Sequence, residues 1–421
     1  MKKIAILGAG ITGLASAYYL QKEQIDVTIF EKNDRVGGWL NTISHNDALF
    51  ECGPRSIRSS SKELMELIDE LGLTPIATQA KKRYIIHQGK VEALPSSLKG
   101  LFTTKLGRTM LGALVRELFS SKEQLDDESV ASFFSRRIGK PATDIFINAL
   151  CAGIYAASPD KLSMRSCFTA LWEHKKSLLR YKSKGNMESF SFKGGIKELP
   201  DALASKLEGK ICLNRAVSKV YEQDDKVVVD GEAFDYLFST IAPASFAKMV
   251  PQGHPLAAIS VPATSVVSIS LAYEEPISIP DGFGFLCPEQ EDSKLLGALF
   301  DSNLFREHNG SYKTRLTLML GGSRAPDMGA FSDDVLLAYA KDALKKYLGI
   351  AVKPDFHHIV RAESAIAAYP VGHYRTCQQL EEYAGKIRLL GSGLYGVSIG
   401  DSVTSASDFT KNYLTNNVSK K

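Results

Sequence analysis

The chain has 421 residues, 44% of them hydrophobic and 23% charged, with a formal net charge of +4. That length exceeds one ordinary domain and supplies apolar material for more than one core. The near balance of charge gives no argument for a nucleic-acid partner.

Lys2–Leu7 is a short apolar run of strand type, followed by Gly8-Ala9-Gly10-Ile11-Thr12-Gly13. Leu14–Gln21 reads as a helix, and a second apolar run, Asp26–Phe30, ends at Glu31. Strand, glycine turn, helix, strand and acid is the pattern of a dinucleotide-binding βαβ unit. Gly8 permits the tight turn, Gly10 lets a pyrophosphate approach the helix N-terminus, and Gly13 lets the helix lie close on the strand. Glu31 is placed to accept hydrogen bonds from ribose hydroxyls, and an acid there disfavours a 2′-phosphate. A glycine turn that merely packs the unit is the plainer alternative. Next, Lys32 to Trp39 carries Arg35 and the adjacent Gly37 and Gly38. This reads either as backbone folded against a ligand, with Arg35 available to the pyrophosphate, or as a surface turn.

Glu51-Cys52-Gly53-Pro54-Arg55-Ser56-Ile57-Arg58 is a loop with two arginines after its Gly-Pro. Ser61–Leu71 is an amphipathic helix with Leu64, Leu67, Ile68 and Leu71 on one face and Gly72 as its stop. Arg83–His87 and Lys90–Leu94 form a hairpin through Gln88-Gly89. Residues 97–185 read as helical, with Leu106, Met110, Leu111, Leu114, Val115, Leu118 and Phe119 at helical spacing. Asp126–Arg137 and Ala142–Cys151 are two further helices. The apolar stripe, flanked by Lys105, Arg108 and Arg116, rests either on a membrane surface or in the protein core. Phe190–Pro200 reads as strand, turn and helix start; Ile211–Tyr221, Lys226–Asp230 and Tyr236–Ile241 are β-like. From Val261 to Tyr369 the pattern is mostly β, at Ser265–Tyr273, Phe283–Cys287, Leu295–Asp301 and Arg315–Gly321, with one helix at Asp334–Leu348. Ile387–Leu390 is the last strand, and Gly391-Ser392-Gly393 with Gly400-Asp401 repeats the strand-to-helix turn of the N-terminus. A helix opening near Asp401 either aims N–H groups at the far end of a bound dinucleotide or is a structural turn.

No nucleophile-base triad, Gly-x-Ser-x-Gly or HExxH occurs. His357, His358 and His373 read as surface or core residues, and Asp126-Asp127 and Glu381-Glu382 as solvated helix ends. The six cysteines (Cys52, Cys151, Cys167, Cys212, Cys287, Cys377) lack a CxxC pair, so neither a metal site nor a disulfide framework is expected. No run of 18 apolar residues exists, so no transmembrane helix is expected. The first strand begins at once, so no signal or transit peptide is expected.

The Glu31…Arg35-x-Gly37-Gly38 continuation resembles the flavoprotein superfamily of amine oxidases, carotene desaturases and protoporphyrinogen oxidases, which implies FAD as the dinucleotide. Further stretches resemble the protoporphyrinogen oxidase family: Gly53 to Arg58, Ala152-Gly153-Ile154-Tyr155-Ala156, Ser163 to Phe168, Phe192 to Ile196, Asp281 to Leu286, Leu296 to Ser302, Met319 to Ser323, Tyr369 to His373 and Gly396 to Asp401. The resemblance implies that Arg83 pairs with a propionate, which suits a guanidinium fork. It implies that Gly153 makes a backbone contact near the reacting ring and that Phe283, Leu286, Leu299 and Met319 sandwich a tetrapyrrole. For FAD it implies Gly8, Ala9, Gly10, Ile11, Thr12, Gly13, Glu31, Lys32, Arg35, Gly38, Trp39, Gly53, Pro54, Arg55, Ser56, Val217, Tyr374, Val397, Ser398, Ile399 and Asp401. No catalytic side chain is expected, because hydride transfer to a bound flavin needs orientation more than a protein acid. The chain departs from the pattern at Tyr374, where relatives carry tryptophan, and at Gly400, where many carry asparagine. Basic residues at Lys175, Lys176, Arg180, Lys182 and Lys184 suit anionic lipid or a substrate with more carboxylates.

The expected fold is α/β: a discontinuous Rossmann-like FAD-binding domain (1–80, 186–260, 381–421), a mixed α+β substrate domain (81–96, 261–380) and an all-helical insertion (97–185). The resemblance implies oxidation of protoporphyrinogen IX to protoporphyrin IX in three cycles, with dioxygen reoxidising the flavin to give hydrogen peroxide. Coproporphyrinogen III oxidation is the nearest alternative; an amine oxidase, a desaturase and a non-catalytic flavin-binding protein are further ones. Expected partners are the porphyrinogen, dioxygen, a peripheral membrane contact, a second copy as homodimer and the next haem-pathway enzyme at hand-over. The expected location is cytoplasmic, on the cytoplasmic face of a membrane.

Overall fold

In the computed structural model, the described residues are 2–95, 97–121, 123, 125–174, 177–181, 188–207 and 209–417. The first strand, β1 (Lys3–Leu7), is buried along Ile4–Leu7, as a strand covered on both faces must be. It lies at the centre of a five-stranded parallel sheet ordered Ile211–Cys212, β2 (Asp26–Phe30), β1, Tyr236–Ser239, Ile387–Leu389. Register runs Leu7 to Phe30 on one side and Leu7 to Ser239 on the other. One face is covered by α1 (Ile11–Lys22), α2 (Lys62–Glu70) and the C-terminal helix, in a core that includes Leu14, Leu67, Phe238 and Val403. The other face packs Leu237 and Phe30 against an antiparallel sheet of Val220–Gln223, Lys226–Val229 and Glu232–Phe234.

A seven-stranded sheet lies beside this layer, ordered Phe356–Ala367, Ala263–Tyr273, Thr314–Gly321, Leu295–Leu299, Gly284–Leu286, Tyr84–His87, Lys90–Ala93. Its pairings are antiparallel except Gly284–Leu286 with Tyr84–His87. The hairpin Tyr84–His87/Lys90–Ala93 turns at Gln88 and Gly89, both with positive φ (53° and 75°). Between the two sheets in sequence come α3 (Lys105–Phe119), α4 (Val130–Ile138) and α5 (Asn148–Tyr155), the last entered through a π-helical stretch at Thr143–Ile147. One face of the seven-stranded sheet is closed by α6 (Asp333–Leu348), through Leu336, Ala340 and Leu344.

Several sequence expectations need correction. Helix α1 begins at Ile11 rather than Leu14, so Ile11-Thr12-Gly13 is its first turn with Gly10 as N-cap. The run expected at Asp126–Arg137 starts only at Val130, where the Ser129 hydroxyl caps the helix. Asp127 is no solvated helix end: it accepts hydrogen bonds from the Ser163 hydroxyl (2.9 Å) and the Gly372 N–H (2.7 Å), tying three segments together. The β-like run Ile211–Tyr221 is two strands in two sheets, separated where residues 213–219 turn past the end of β2. A twelve-residue edge strand, Phe356–Ala367, was not expected; its mixed polar and apolar residues show the half-buried pattern of an edge. The stripe on α3 divides: Leu106 is buried with Ala113 and Glu117, whereas Val115, Leu118 and Phe119 are exposed. Glu117 is buried in an ion pair with Arg137 (2.6 Å). Lys175, Lys176, Lys182 and Lys184 lie outside the described residues, and Arg180 is exposed. Among the described residues no helix is long and apolar enough to cross a membrane, and no three His, Cys, Asp or Glu side chains are grouped to hold a metal ion.

Candidate active site

The glycine turn after β1 is shaped by close approaches. A Cβ on Gly13 would collide with the Gly8 carbonyl oxygen, so helix and turn can touch only through glycine. A Cβ on Gly10 would meet nothing within 4 Å, so that side of the turn is open where α1 presents its first N–H groups. The Gly37 N–H donates to the Ala9 carbonyl (2.8 Å), and Gly37 bridges Gly10, bringing the Arg35–Gly38 turn against this opening. Ala9, Ile11 and Thr12 are buried; Arg35 is half-buried, and its guanidinium donates to the Val36 carbonyl (3.1 Å).

Glu31 is 7% exposed at the end of β2. Its carboxylate accepts from the Ala9 N–H (2.8 Å) and from the Asn33 N–H and side-chain amide (2.9 and 2.8 Å). Arg215 N–H donates to the Glu31 carbonyl (2.8 Å), which carries half-buried Val217 past this acid; Lys32 beside it is exposed. Glu31 and the Arg215–Val217 segment are therefore adjacent, although 186 positions of chain separate Glu31 from Val217.

The opposite end is built from the C-terminus. Gly391 approaches Thr12 of α1 so closely that a Cβ would lie 2.8 Å from the Thr12 hydroxyl. The last helix, α7 (Ile399–Asn417), begins two residues before Asp401. Ser398 and Asp401 cap each other: the Asp401 N–H donates to the Ser398 hydroxyl (3.0 Å) and the Ser398 N–H to the Asp401 carboxylate (3.1 Å). Asp401 thus fixes the helix start rather than standing at its mouth. Val397 is half-buried and Ile399 buried beside it.

Between these ends lies the Gly53–Ser56 loop. Gly53 packs against the backbone of Trp39, which is itself 41% exposed; Pro54 is exposed and Ser56 half-buried. Arg55 is 9% exposed, yet none of its three guanidinium nitrogens has a hydrogen-bond partner among the described residues. A buried unpaired cation is costly unless an acceptor reaches it. An open glycine turn, an adjacent acid and an unsatisfied buried arginine together fit an anionic dinucleotide. Beside Arg55, burial pushes the Glu51 carboxyl up to about 7, although the Ile196 N–H, the Thr42 hydroxyl and the Arg55 charge hold it back.

The chain matches the model of the flavin-containing amine oxidoreductases over residues 11–406. It belongs to that family. It is an oxidoreductase, and its cofactor is FAD. Among curated relatives it is 29% identical to protoporphyrinogen oxidase of Bos taurus, over 96% of this chain and 96% of that one. It is 25% identical to coproporphyrinogen III oxidase of Staphylococcus aureus, over 96% of this chain and 97% of that one. A crystal structure from Exiguobacterium sp. 255-15 superposes with TM-score 0.85 at 23% identity, covering 99% of each chain, which shows the fold.

Of the remaining expected residues, Leu286, Leu299 and Met319 share one face of the seven-stranded sheet. Leu286 pairs across Gly297 with Met319, and two positions along, Leu299 pairs with Gly284. Paired residues share a face, so Leu286, Met319 and Leu299 stand together with bare glycine between them. All three are half-buried, whereas their strand neighbours Leu295, Ala298, Leu318 and Leu320 are buried. Phe283 is half-buried at the edge of this patch. Gly153 of α5 abuts it: a Cβ there would lie 2.7 Å from Leu286 Cδ2. Arg83 is exposed, with its guanidinium 4.9 Å over the Phe283 ring. Tyr374 stands apart from these: the Arg165 guanidinium lies 3.6 Å over its ring and its hydroxyl donates to Asp126. Arg58, in the loop motif that holds Arg55, is exposed, and its charge acts on the Arg83 guanidinium.

Proposed function

We propose that the chain oxidises protoporphyrinogen IX to protoporphyrin IX in porphyrin biosynthesis, with dioxygen as acceptor and hydrogen peroxide as by-product. One observation carries the reading: a half-open apolar face of Phe283, Leu286, Leu299 and Met319, bare at Gly297 and bounded by Arg83, which has no acidic partner among the described residues. A broad apolar macrocycle with carboxylates along one edge matches an apolar floor with a cation at its edge. The names of the curated relatives support the same substrate class.

When bound, FAD supplies the two-electron acceptance from a substrate carbon. The chain's residues orient and shield. Gly8–Gly13, Glu31, Arg35, Val217 and Val397–Ile399 would hold the dinucleotide, and Arg55 would donate to one of its acceptors, which would neutralise the buried charge. Arg83 fixes one propionate, the apolar face stacks the macrocycle and excludes water, and Gly153, lacking a Cβ, lets α5 pack directly on Leu286 at the border of that face. No side chain is assigned as acid or base. The division into FAD-binding segments, substrate segments and a helical insertion at 97–185 belongs to this proposal. So does peripheral membrane contact through the exposed Phe102, Val115, Leu118, Phe119, Leu125 and Leu179 of that insertion.

Coproporphyrinogen III is the second reading, favoured by guanidinium groups without acidic partners at the edge of the apolar face and by the Staphylococcus aureus relative. The test is purified holoenzyme with each porphyrinogen under oxygen, read by porphyrin fluorescence. A rise with protoporphyrinogen IX is expected. Preference for coproporphyrinogen III would move the reading to the second substrate, and no fluorescence from either would overturn both.

A further inference from the structure

Arg58 closes a short strand, Ile57–Arg58, in a three-stranded sheet ordered Ile57–Arg58, Ser189–Ser191, Ile76–Ala77. Arg58 pairs with Ser189, whose carbonyl accepts from the Thr78 N–H (2.9 Å) on the other side. The chain then runs through Gln79, whose N–H donates to the Leu304 carbonyl (3.3 Å), to Ala80 in the cluster that contains Phe283 and Leu299. Three residues on stands Arg83. The sheet therefore sets Arg58 beside the segment that delivers Arg83 to the apolar face.

Both arginines are exposed, and neither has a hydrogen bond or ion pair from its guanidinium to the described residues. The neighbouring Lys82, by contrast, is neutralised by Asp281 (3.2 Å). Partial burial, and after it the charge of Arg58, makes the Arg83 guanidinium give up its proton more readily than usual. Two like charges that act on each other with no acid paired to either among the described residues repel, and an anion placed between them removes the repulsion.

We propose that Arg58 and Arg83 form a paired carboxylate clamp, in which Arg58 takes a second propionate of the tetrapyrrole while Arg83 takes the first. This rests on the porphyrinogen reading, and it makes Arg58 a determinant of specificity for substrates with two carboxylates on one edge. Planar forks suit carboxylates, so Lys at position 58 keeps the charge but loses the bidentate fit.

The test separates binding from turnover. Holoenzyme and the variants Arg58→Ala and Arg58→Lys are titrated with protoporphyrin IX and with its dimethyl ester, following porphyrin fluorescence, and KM and kcat for protoporphyrinogen IX are measured in parallel. Arg58→Ala should weaken protoporphyrin IX binding and raise KM about tenfold or more, with little change in kcat and none in ester affinity. Arg58→Lys should fall between. Equal affinity of wild type and Arg58→Ala for protoporphyrin IX overturns the clamp, even where the enzyme oxidises porphyrinogens normally. A binding loss in an enzyme that oxidises neither porphyrinogen leaves the clamp standing and overturns the function.

Discussion

Glu51 shows how one buried group couples stability to pH. Its carboxylate accepts from the Ile196 N–H (2.9 Å) and the Thr42 hydroxyl (2.7 Å), so it joins the 42–51 hairpin to the 192–198 turn. Burial raises its pKa from 4.5 to about 7, so between those values the folded protein binds the proton more tightly than the unfolded chain does. Its contribution to stability is full below about pH 4.5 and is lost as pH rises through 7, a change on the order of 3 kcal/mol. Glu51→Gln removes that dependence. Urea unfolding of wild type and variant at pH 5 and pH 8 should show wild type losing stability relative to the variant at the higher pH; parallel changes would refute the assignment. Legibility at this scale follows locality. Gly13 and Glu31 declare their tasks because strand, turn and helix are contiguous. Glu51 and Arg58 do not, because what matters is a partner over a hundred positions away or across a sheet.

Among the elements, α3 is where the sequence left two readings open, and each half of the stripe now has its own surroundings. Leu106, Ala113 and Glu117 face the protein, with Glu117 paired to Arg137. Leu118 and Phe119 are 62% and 86% exposed, and Phe102, in the short helix Leu98–Thr103 before α3, is 61% exposed. Helical spacing could not separate these faces, because apolar residues occur on both and the inward face is completed by an acid. Inserting one such exposed aromatic into a lipid interface gains about 1.5–3 kcal/mol. Flotation with vesicles containing anionic lipid should carry the protein upward, and Leu118→Asp with Phe119→Asp should abolish that. Protein that stays at the bottom of the gradient would rule the contact out. The edge strand Phe356–Ala367 escaped sequence reading for a related reason: with one side unpaired, its polar residues dilute the alternation that marks a strand.

Across the molecule, the proposed FAD site draws on segments that no local pattern joins. The N-terminal turn, the Gly53–Ser56 loop, the Arg215–Val217 segment and the start of α7 meet only because the parallel sheet takes its strands from both ends and the middle of the chain. The expected interruption of the nucleotide fold follows from apolar runs placed at those three regions, whereas the order of the seven-stranded sheet does not follow from any run of residues. A ligand that touches all these segments stabilises their common assembly, by about 2.7 kcal/mol at a free concentration one hundred times its Kd. Thermal melting of FAD-depleted protein should therefore shift upward with added FAD, less with FMN, which lacks the adenosine end proposed to meet Glu31 and Val217. Gly13→Ala should remove the FAD shift, since its Cβ collides with the Gly8 carbonyl oxygen and forces α1 away from the turn. An FAD response in Gly13→Ala equal to that of wild type would show that the close approach of α1 is not what shapes the site.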